Sequence, residues 1–483
     1  MAKRKLSAFE RLQRGERLSR KERREVQQRL NLDDPSLDII HRDAAGIDVG
    51  NESHFVSVPP DRDPQAIREF GSWTAAREEM AQWLKNCRIH TVVMQSTGVY
   101  WIALHAVLQR HGLEVNLVDA RGTKNVPGRK SDVQECQWLR KLHTYGLLRP
   151  CFLPPPEIHA VRTLWRLRSQ HVRDAGRCIQ QMQKALIQMN VQLHIALSDI
   201  SGLSGQAIIR ALLKGERDPQ VLAKLRDPHC QASEEEIVQS LQGNWKDDLL
   251  FQLQQAVDAY DFYQQQMKKC DQQLRRYLAL VPTRPTLPAP VSPSSSPSTT
   301  KEKQGRTRKP RGKNLPAFDL ASELERILGV NAATIDGIDV MTIQTVLAEV
   351  GPDLSRWKTE RHWTSWLNLA PKRDVSGGRV IRHVRQHHTN RAGNAFRMAA
   401  QSLVRSQSYL GARYRYLRAK LGGLKAVKAM ARFLACLYYR LLTQGQIWVD
   451  RGTQEFNRRS QQRELAALER KARKHGLQLV PAA

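Results

Sequence analysis

Between residues 43 and 150 the chain alternates short apolar strands with amphipathic helices, and that order admits few architectures. Residues 44–50 (AAGIDVG) read as a short apolar strand closing on Asp48 and Gly50. Gly50 and Asn51 make a turn, and 54–58 returns as the second arm of a hairpin. A third strand is expected over 67–70. Met80, Trp83 and Leu84 give 74–86 helical spacing, and 89–94 reads as a buried strand. Leu104, Val107 and Leu108 share one face of a helix over 100–111, and 114–118 is a fifth strand. A last helix over 131–142 opens on a Ser131 cap with Glu135 in its first turn. The order β-β-β-α-β-α-β-α predicts a mixed sheet led by three antiparallel strands.

The rest of the chain is organised differently. Residues 1–42 form a basic leader in which Arg11, Arg14, Arg17, Arg20, Arg23 and Arg24 recur at helical spacing; it is either solvated or a basic arm on nucleic acid. Residues 151–280 read as almost wholly helical. Val161, Leu164, Trp165 and Leu167 open one long apolar stripe, and Phe251, Leu253, Val257, Tyr260 and Met267 mark another. Two long helices around a smaller insert predict an antiparallel coiled-coil arm. Residues 281–315 run through Pro, Ser and Thr into a basic stretch ending near Lys313; they cannot bury enough apolar surface to fold and read as a disordered tether. A second globular region, helical and very basic, is expected over 316–450, and a charged, partly helical tail over 451–483.

Lys and Arg number 77 against 47 Asp and Glu, a net charge of +30. An excess of that size supplies counterion-releasing contacts to phosphates, so nucleic acid is the expected partner. No stretch of about 18 apolar residues is present to span a bilayer, and no apolar signal core follows the basic start. Cys87, Cys136, Cys151, Cys178, Cys230, Cys270 and Cys436 are scattered, with no CxxC pair to hold zinc. The expected setting is intracellular and cytoplasmic, with reduced thiols.

The sheet order is the ribonuclease-H-like α/β plan, which organises carboxylates for two-metal phosphodiester chemistry. Such folds carry a first carboxylate on strand one, a second at the end of strand four and the rest on a late helix. Asp48 stands at the first place. Asp132 and Glu135, three residues apart, share one helix face. Gln95 stands where the strand-four acid is expected. Taken singly, Asp48 reads as a strand-end turn residue and the other two as solvated helix charges; their joint order is what points to metal.

At these residues the chain resembles the insertion-sequence 110 transposases, nearest their 1111 subgroup. The resemblance rests on GIDVG at 46–50, QSTGVYW at 95–101 and VPGRKSDVQECQWL at 126–139. Further on it rests on GIDVM at 337–341, AEVG at 348–351, LAP at 369–371 and VSGG at 375–378. It covers most of 43–450 and leaves out the leader and the linker. It implies a DEDD enzyme with a RuvC-like domain, a coiled coil and a C-terminal transposase domain. Such enzymes cut and rejoin DNA under the guidance of a structured non-coding RNA encoded by the element. It further implies a serine nucleophile that links covalently to a DNA phosphate, Mg²⁺ on the carboxylates, and an active site shared within a homodimer or homotetramer. By motif, Asp48, Asp132 and Glu135 carry over as catalytic metal ligands, Gln95 as the fourth metal position, and Ser376 as nucleophile.

Two positions depart from the family pattern: Gln95 replaces Glu, and Glu135 replaces Asp. The amide offers oxygen without charge, while Glu135 is one methylene longer and reaches towards the metal the missing Glu would hold. A compensated site is expected, with a decayed copy as the alternative. Around Ser376, the Gly377–Gly378 pair leaves the backbone open to a phosphate, and Lys372, Arg373, Arg379, Arg382 and Arg385 are expected to neutralise it. Read without the family, Ser-Gly-Gly is a hairpin turn.

Other features carry less. Residues 336–339 before a helix over 341–350 read either as a helix-hairpin-helix fragment gripping a DNA backbone or as an ordinary turn. His387 and His388 diverge as neighbours and are expected to contact phosphate or RNA rather than metal. Trp357, Trp363 and Trp366 are expected in the core, and 425–440 as a helix with one basic face. Two further readings compete: a junction-resolving nuclease that uses only the carboxylates, and a non-catalytic nucleic-acid-binding derivative.

Overall fold

The computed structural model describes residues 7–13, 16, 18–31, 37–96, 98–119, 131–285, 314–376, 379–384, 390–445 and 452–478. The chain divides into two compact units, Met1–Leu153 and Pro154–Ala483. Among the described residues no helix is long and apolar enough to cross a membrane.

The first unit is built on strands β1 (Ala44–Val49), β2 (Ser53–Ser57), β3 (Ile67–Gly71), β4 (Thr91–Gln95) and β5 (Glu114–Val118), in the order β3-β2-β1-β4-β5. β1, β2 and β3 pair antiparallel, whereas β4 runs parallel to β1 and β5 parallel to β4. This is the mixed five-stranded, ribonuclease-H-like sheet expected. β4 starts and ends later than the sequence indicates, at Thr91 and Gln95, which brings Gln95 into the sheet. One face carries Ile47, Val49, Val92 and Met94, packed with Met80 and Leu84 of α3 (Thr74–Asn86) and Leu104 and Leu108 of α4 (Trp101–Arg110). On the other face Val93 and Val118 meet Leu139, from the helix over Asp132–Thr144.

The leader folds onto this unit. Helices α1 (Ala8–Gln13) and α2 (Arg20–Asn31) bury Phe9, Val26 and Leu30, with Leu18 between them, against Leu142 and Tyr145. Ser19 and Glu22 close the start of α2 reciprocally: Ser19 N–H donates to the Glu22 carboxylate at 2.7 Å, and Glu22 N–H to Ser19 Oγ at 3.3 Å. Arg11, Arg20, Arg23 and Arg24 therefore belong to helices whose apolar positions are core, while Arg14 and Arg17 lie outside the described residues.

Two histidines are buried here in neutral form. His54, on β2, has no accessible surface, and neither ring nitrogen has a hydrogen-bond partner. His143 meets Thr91 Oγ1 at 2.9 Å and stacks on His41 at 4.5 Å. Burial, with the nearby charge of Arg77 for His54 and of His41 for His143, pushes each from 6.5 down to about 4. An unfolded chain takes up these protons below about pH 6.5 while the folded chain refuses them until about pH 4. Stability is thus complete above the upper value and falls as pH drops through that window, by about 3 kcal/mol for each histidine. Thermal unfolding of the full chain should move down steeply between about pH 6.5 and about pH 4, and His54→Leu should flatten part of that slope. A transition that ignores pH over this range contradicts the assignment.

In the second unit, α6 (Pro156–Gln188) and α11 (Asp247–Leu280) are the two long helices anticipated. Their partners, Arg168 with Asp271 and His171 with Tyr263, run in opposite senses, so the pair is antiparallel. The stripe differs in detail from the sequence reading: Leu167 and Phe251 face solvent, and Arg168 takes an inward position. Arg168 is kept there by a two-pronged contact with Asp271, at 2.5 and 3.3 Å. Between the long helices, α7 (Leu193–Ala196), α8 (Leu203–Leu213), α9 (Pro219–Ala223) and α10 (Glu234–Ser240) share an apolar core with them.

Beyond the linker, whose residues 286–313 lie outside the described ones, come α12 (Leu320–Leu328) and α13 (Val340–Val350). α13 is tied to α6 by Glu349, which is 7% exposed and receives Arg166 at 2.8 and 2.6 Å. α14 (Glu360–Trp366), α15 (Arg391–Ser402), α16 (Tyr409–Leu421), α17 (Gly423–Gln444) and α18 (Gly452–Lys474) follow. Trp357 and Trp363 are core, as expected, while Trp366 packs on them half-buried. Trp363 is fully buried, lies 4.8 Å from Trp357, and donates its ring N–H to the Ala435 carbonyl at 3.1 Å. α17 buries Ala426, Met430, Leu434 and Tyr438, leaving the opposite side to its Lys and Arg.

Candidate active site

The helix α5 (Asp132–Thr144) rests directly on β1, and Gly46 is the reason. A Cβ at Gly46 would lie 2.3 Å from the Cys136 carbonyl oxygen and 2.3 Å from the Arg140 nitrogen, both α5 backbone. Gly46→Ala must therefore push α5 off the sheet. Backbone has no rotamer to yield, so a loss of at least about 3 kcal/mol is expected in thermal or denaturant unfolding. An unchanged midpoint contradicts this packing.

Alternation along β1 turns Asp48 to the same face as Gly46. In the parallel register Gly46 stands beside Val93 and Ile47 beside Met94, so the next pair is Asp48 and Gln95. Gln95 is 3% exposed, and its Nε2 donates to Glu135 Oε1 on α5. Cys136, the next residue on the helix, is buried; that burial, together with the Asp48 carboxylate, pushes its thiol up to about 12, so it stays protonated. Asp48, Gln95 and Glu135 thus converge on one face of the sheet under the first turn of α5. Asp132 is the exposed first residue of that helix. Ser131 caps it by accepting from Gln134 N–H at 3.3 Å, as the sequence indicates, and the two acids of the first turn suit the positive end of the helix dipole.

Arg140 was not anticipated at this face. It lies one turn beyond Cys136 and donates from Nε to Ser57 Oγ at 3.2 Å. Its spacing of eight from Asp132 is the signal that was available.

The second candidate group sits in the second unit on a hairpin that the helical reading of 316–450 omits. β6 (Lys372–Ser376) and β7 (Arg379–Val384) pair antiparallel, with Ser376 opposite Arg379 and an irregularity at Asp374 and Val375. Both strands mix charged and apolar residues, and Val380 and Ile381 of β7 stay exposed next to each other, so the sequence carries no inward–outward alternation there. Arg373, Arg379 and Arg382 are exposed. Gly377, Gly378, Arg385, His387 and His388 lie outside the described residues.

Residues 45–191 match a transposase family model, that of the DEDD transposases of the IS110 group. Residues 331–415 match a second, described as Transposase IS116/IS110/IS902 family. The chain belongs to the IS110 family of transposases. No curated protein matches it.

The transposase is thus a DNA strand-transfer enzyme, and its DEDD family implies a divalent metal. Among the described residues no three His, Cys, Asp or Glu side chains are gathered closely enough to hold an ion. The donor chemistry nevertheless fits a hard cation: Asp48 and Glu135 bring carboxylates, Gln95 an amide oxygen, and Asp132 another carboxylate one turn away. The turn before α13 has a packing role. A Cβ on Gly337 would meet Leu403 at 2.8 Å and the Ala399 carbonyl at 2.9 Å, and Asp339 caps the helix by accepting from Thr342 N–H at 2.8 Å.

Proposed function

We propose that this transposase cuts and rejoins the DNA of an insertion sequence through two groups of residues: the Asp48 face, with Gln95, Asp132 and Glu135, and the Ser376 hairpin. The observation that supports this most is the hairpin register, in which Ser376 ends one strand opposite Arg379 on the other. A nucleophile and a phosphate-binding cation then stand on paired backbones. Ser376 Oγ attacks the scissile phosphorus, a serine phosphodiester forms, and the phosphate–deoxyribose bond breaks. The serine proton passes in balance to the departing hydroxyl. One phosphodiester replaces another, so rejoining by a new hydroxyl needs no external energy source. Lys372, Arg373, Arg379, Arg382 and Arg385 hold the phosphate oxygens and offset the charge that builds on them. Asp48, Gln95, Asp132 and Glu135 would hold a Mg²⁺ ion, which would supply Lewis-acid stabilisation to a DNA phosphate.

Gln95→Glu tests the metal face. Two carboxylates in contact repel without an ion and share one when it is present. The variant should unfold at lower temperature than the parent in chelator and regain the difference in millimolar-range Mg²⁺; a metal-independent change contradicts metal binding by this face.

The partner reading is element-end and target DNA, together with a structured non-coding RNA from the element, handled by a homodimer or homotetramer. The net charge of +30 supports polyanion binding of this kind. Sequencing of RNA co-purified with the protein should return one defined RNA from beside the gene; a random population contradicts guidance and leaves charge-driven binding.

A further inference from the structure

α18 lies outside both family matches, yet it builds a cavity of about 310 Å³ with α16. Phe456 anchors it, edge-on to Tyr409 at 5.2 Å and to Tyr416 at 5.9 Å. Arg413, Tyr416, Ser460 and Arg463 line the opening. The Arg413 guanidinium carbon lies over the Phe433 ring, 4.1 Å from its centre, and Nε is buried without a hydrogen-bond partner. Burial and the charge of Arg463 together disfavour its protonated form. Glu464 is the one carboxylate among the lining residues, and it forms no ion pair with either arginine. Two cations therefore share a half-enclosed space beside Tyr416, a tyrosine left 45% exposed.

We propose that this cavity takes one nucleotide of a single-stranded nucleic acid, its phosphate between Arg413 and Arg463 and its base against the exposed side chain of Tyr416. Each requirement of such a ligand is met by a separate feature. An anion relieves the repulsion between the guanidiniums of Arg413 and Arg463. A flat ring at the mouth offers a stacking surface that only an unpaired base can reach. The volume is at the small end of ligand pockets, about 300 Å³, which suits one nucleotide unit rather than a duplex. Lys420 Nζ stands over the Tyr416 ring, 6.0 Å from its centre, and adds a further cation at the mouth. The site is independent of the Ser376 reading, because it concerns binding and not strand cleavage.

The test uses the full chain and oligonucleotides of about 12 nucleotides carrying iodouracil, as single-stranded RNA, single-stranded DNA and duplex DNA. Photocrosslinked peptides from a single-stranded arm should map to 413–417 or 456–464, and the arm giving the greater yield identifies the source. Arg463 is exposed, so Arg463→Gln should leave thermal unfolding unchanged while weakening single-strand binding about fivefold or more. Tyr416→Leu should do the same, and neither should alter duplex affinity. Crosslinks confined to other segments, or equal losses for duplex and single strand, overturn the proposal.

Discussion

Asp48→Ala should lower DNA strand exchange by on the order of 10³-fold, the scale expected when several kcal/mol of metal-borne charge stabilisation is lost. The reason lies in its position. β1 is the central strand of the sheet, and Asp48 stands beside Gln95 on the face that α5 covers. Gln95 is neutral and already donates to Glu135, so no neighbour is available to replace the missing carboxylate. Asp48 is only half-buried, so the alanine variant should remain folded, and circular dichroism separates loss of chemistry from loss of structure. Unimpaired exchange by a folded Asp48→Ala protein would remove the metal role from this face.

Ser376→Ala should abolish both strand exchange and any covalent protein–DNA product, because no other hydroxyl is proposed to attack. The expected loss is at least as large as that at Asp48, since removal of a nucleophile leaves only binding and charge stabilisation. Its informative comparison is with a junction-resolving nuclease, which would use the carboxylates alone and survive the substitution. Binding of DNA should persist, because Arg373, Arg379 and Arg382 remain on the hairpin.

Much of the first unit was legible because its strands have one rule each. A buried apolar run ending in Asp48, a capped helix at Ser131 and helical spacing at Met80 and Leu84 are local signals that packing did not overturn. What escaped was what depends on distant partners. Gly46 reads as an ordinary strand residue until α5 is laid across it. Gln95 reads as a defect, yet in the fold it is the residue that Glu135 reaches. The leader reads as charge, because Phe9, Val26 and Leu30 are sparse among arginines, although they find a core on Leu142 and Tyr145. The β6–β7 hairpin left no period-two signal because β7 sets Val380 and Ile381, both exposed, among charged residues. Arg168 broke an apolar stripe for a partner 103 residues away, which no local pattern encodes.

The central claim, that Ser376 joins covalently to DNA, is tested most directly by trapping the protein on a cleavable DNA substrate and mapping the adduct by mass spectrometry. The account predicts a nucleotide phosphate on Ser376, absent from Ser376→Ala. DNA attached to any other residue, or cleavage that proceeds with no adduct at all, would contradict it.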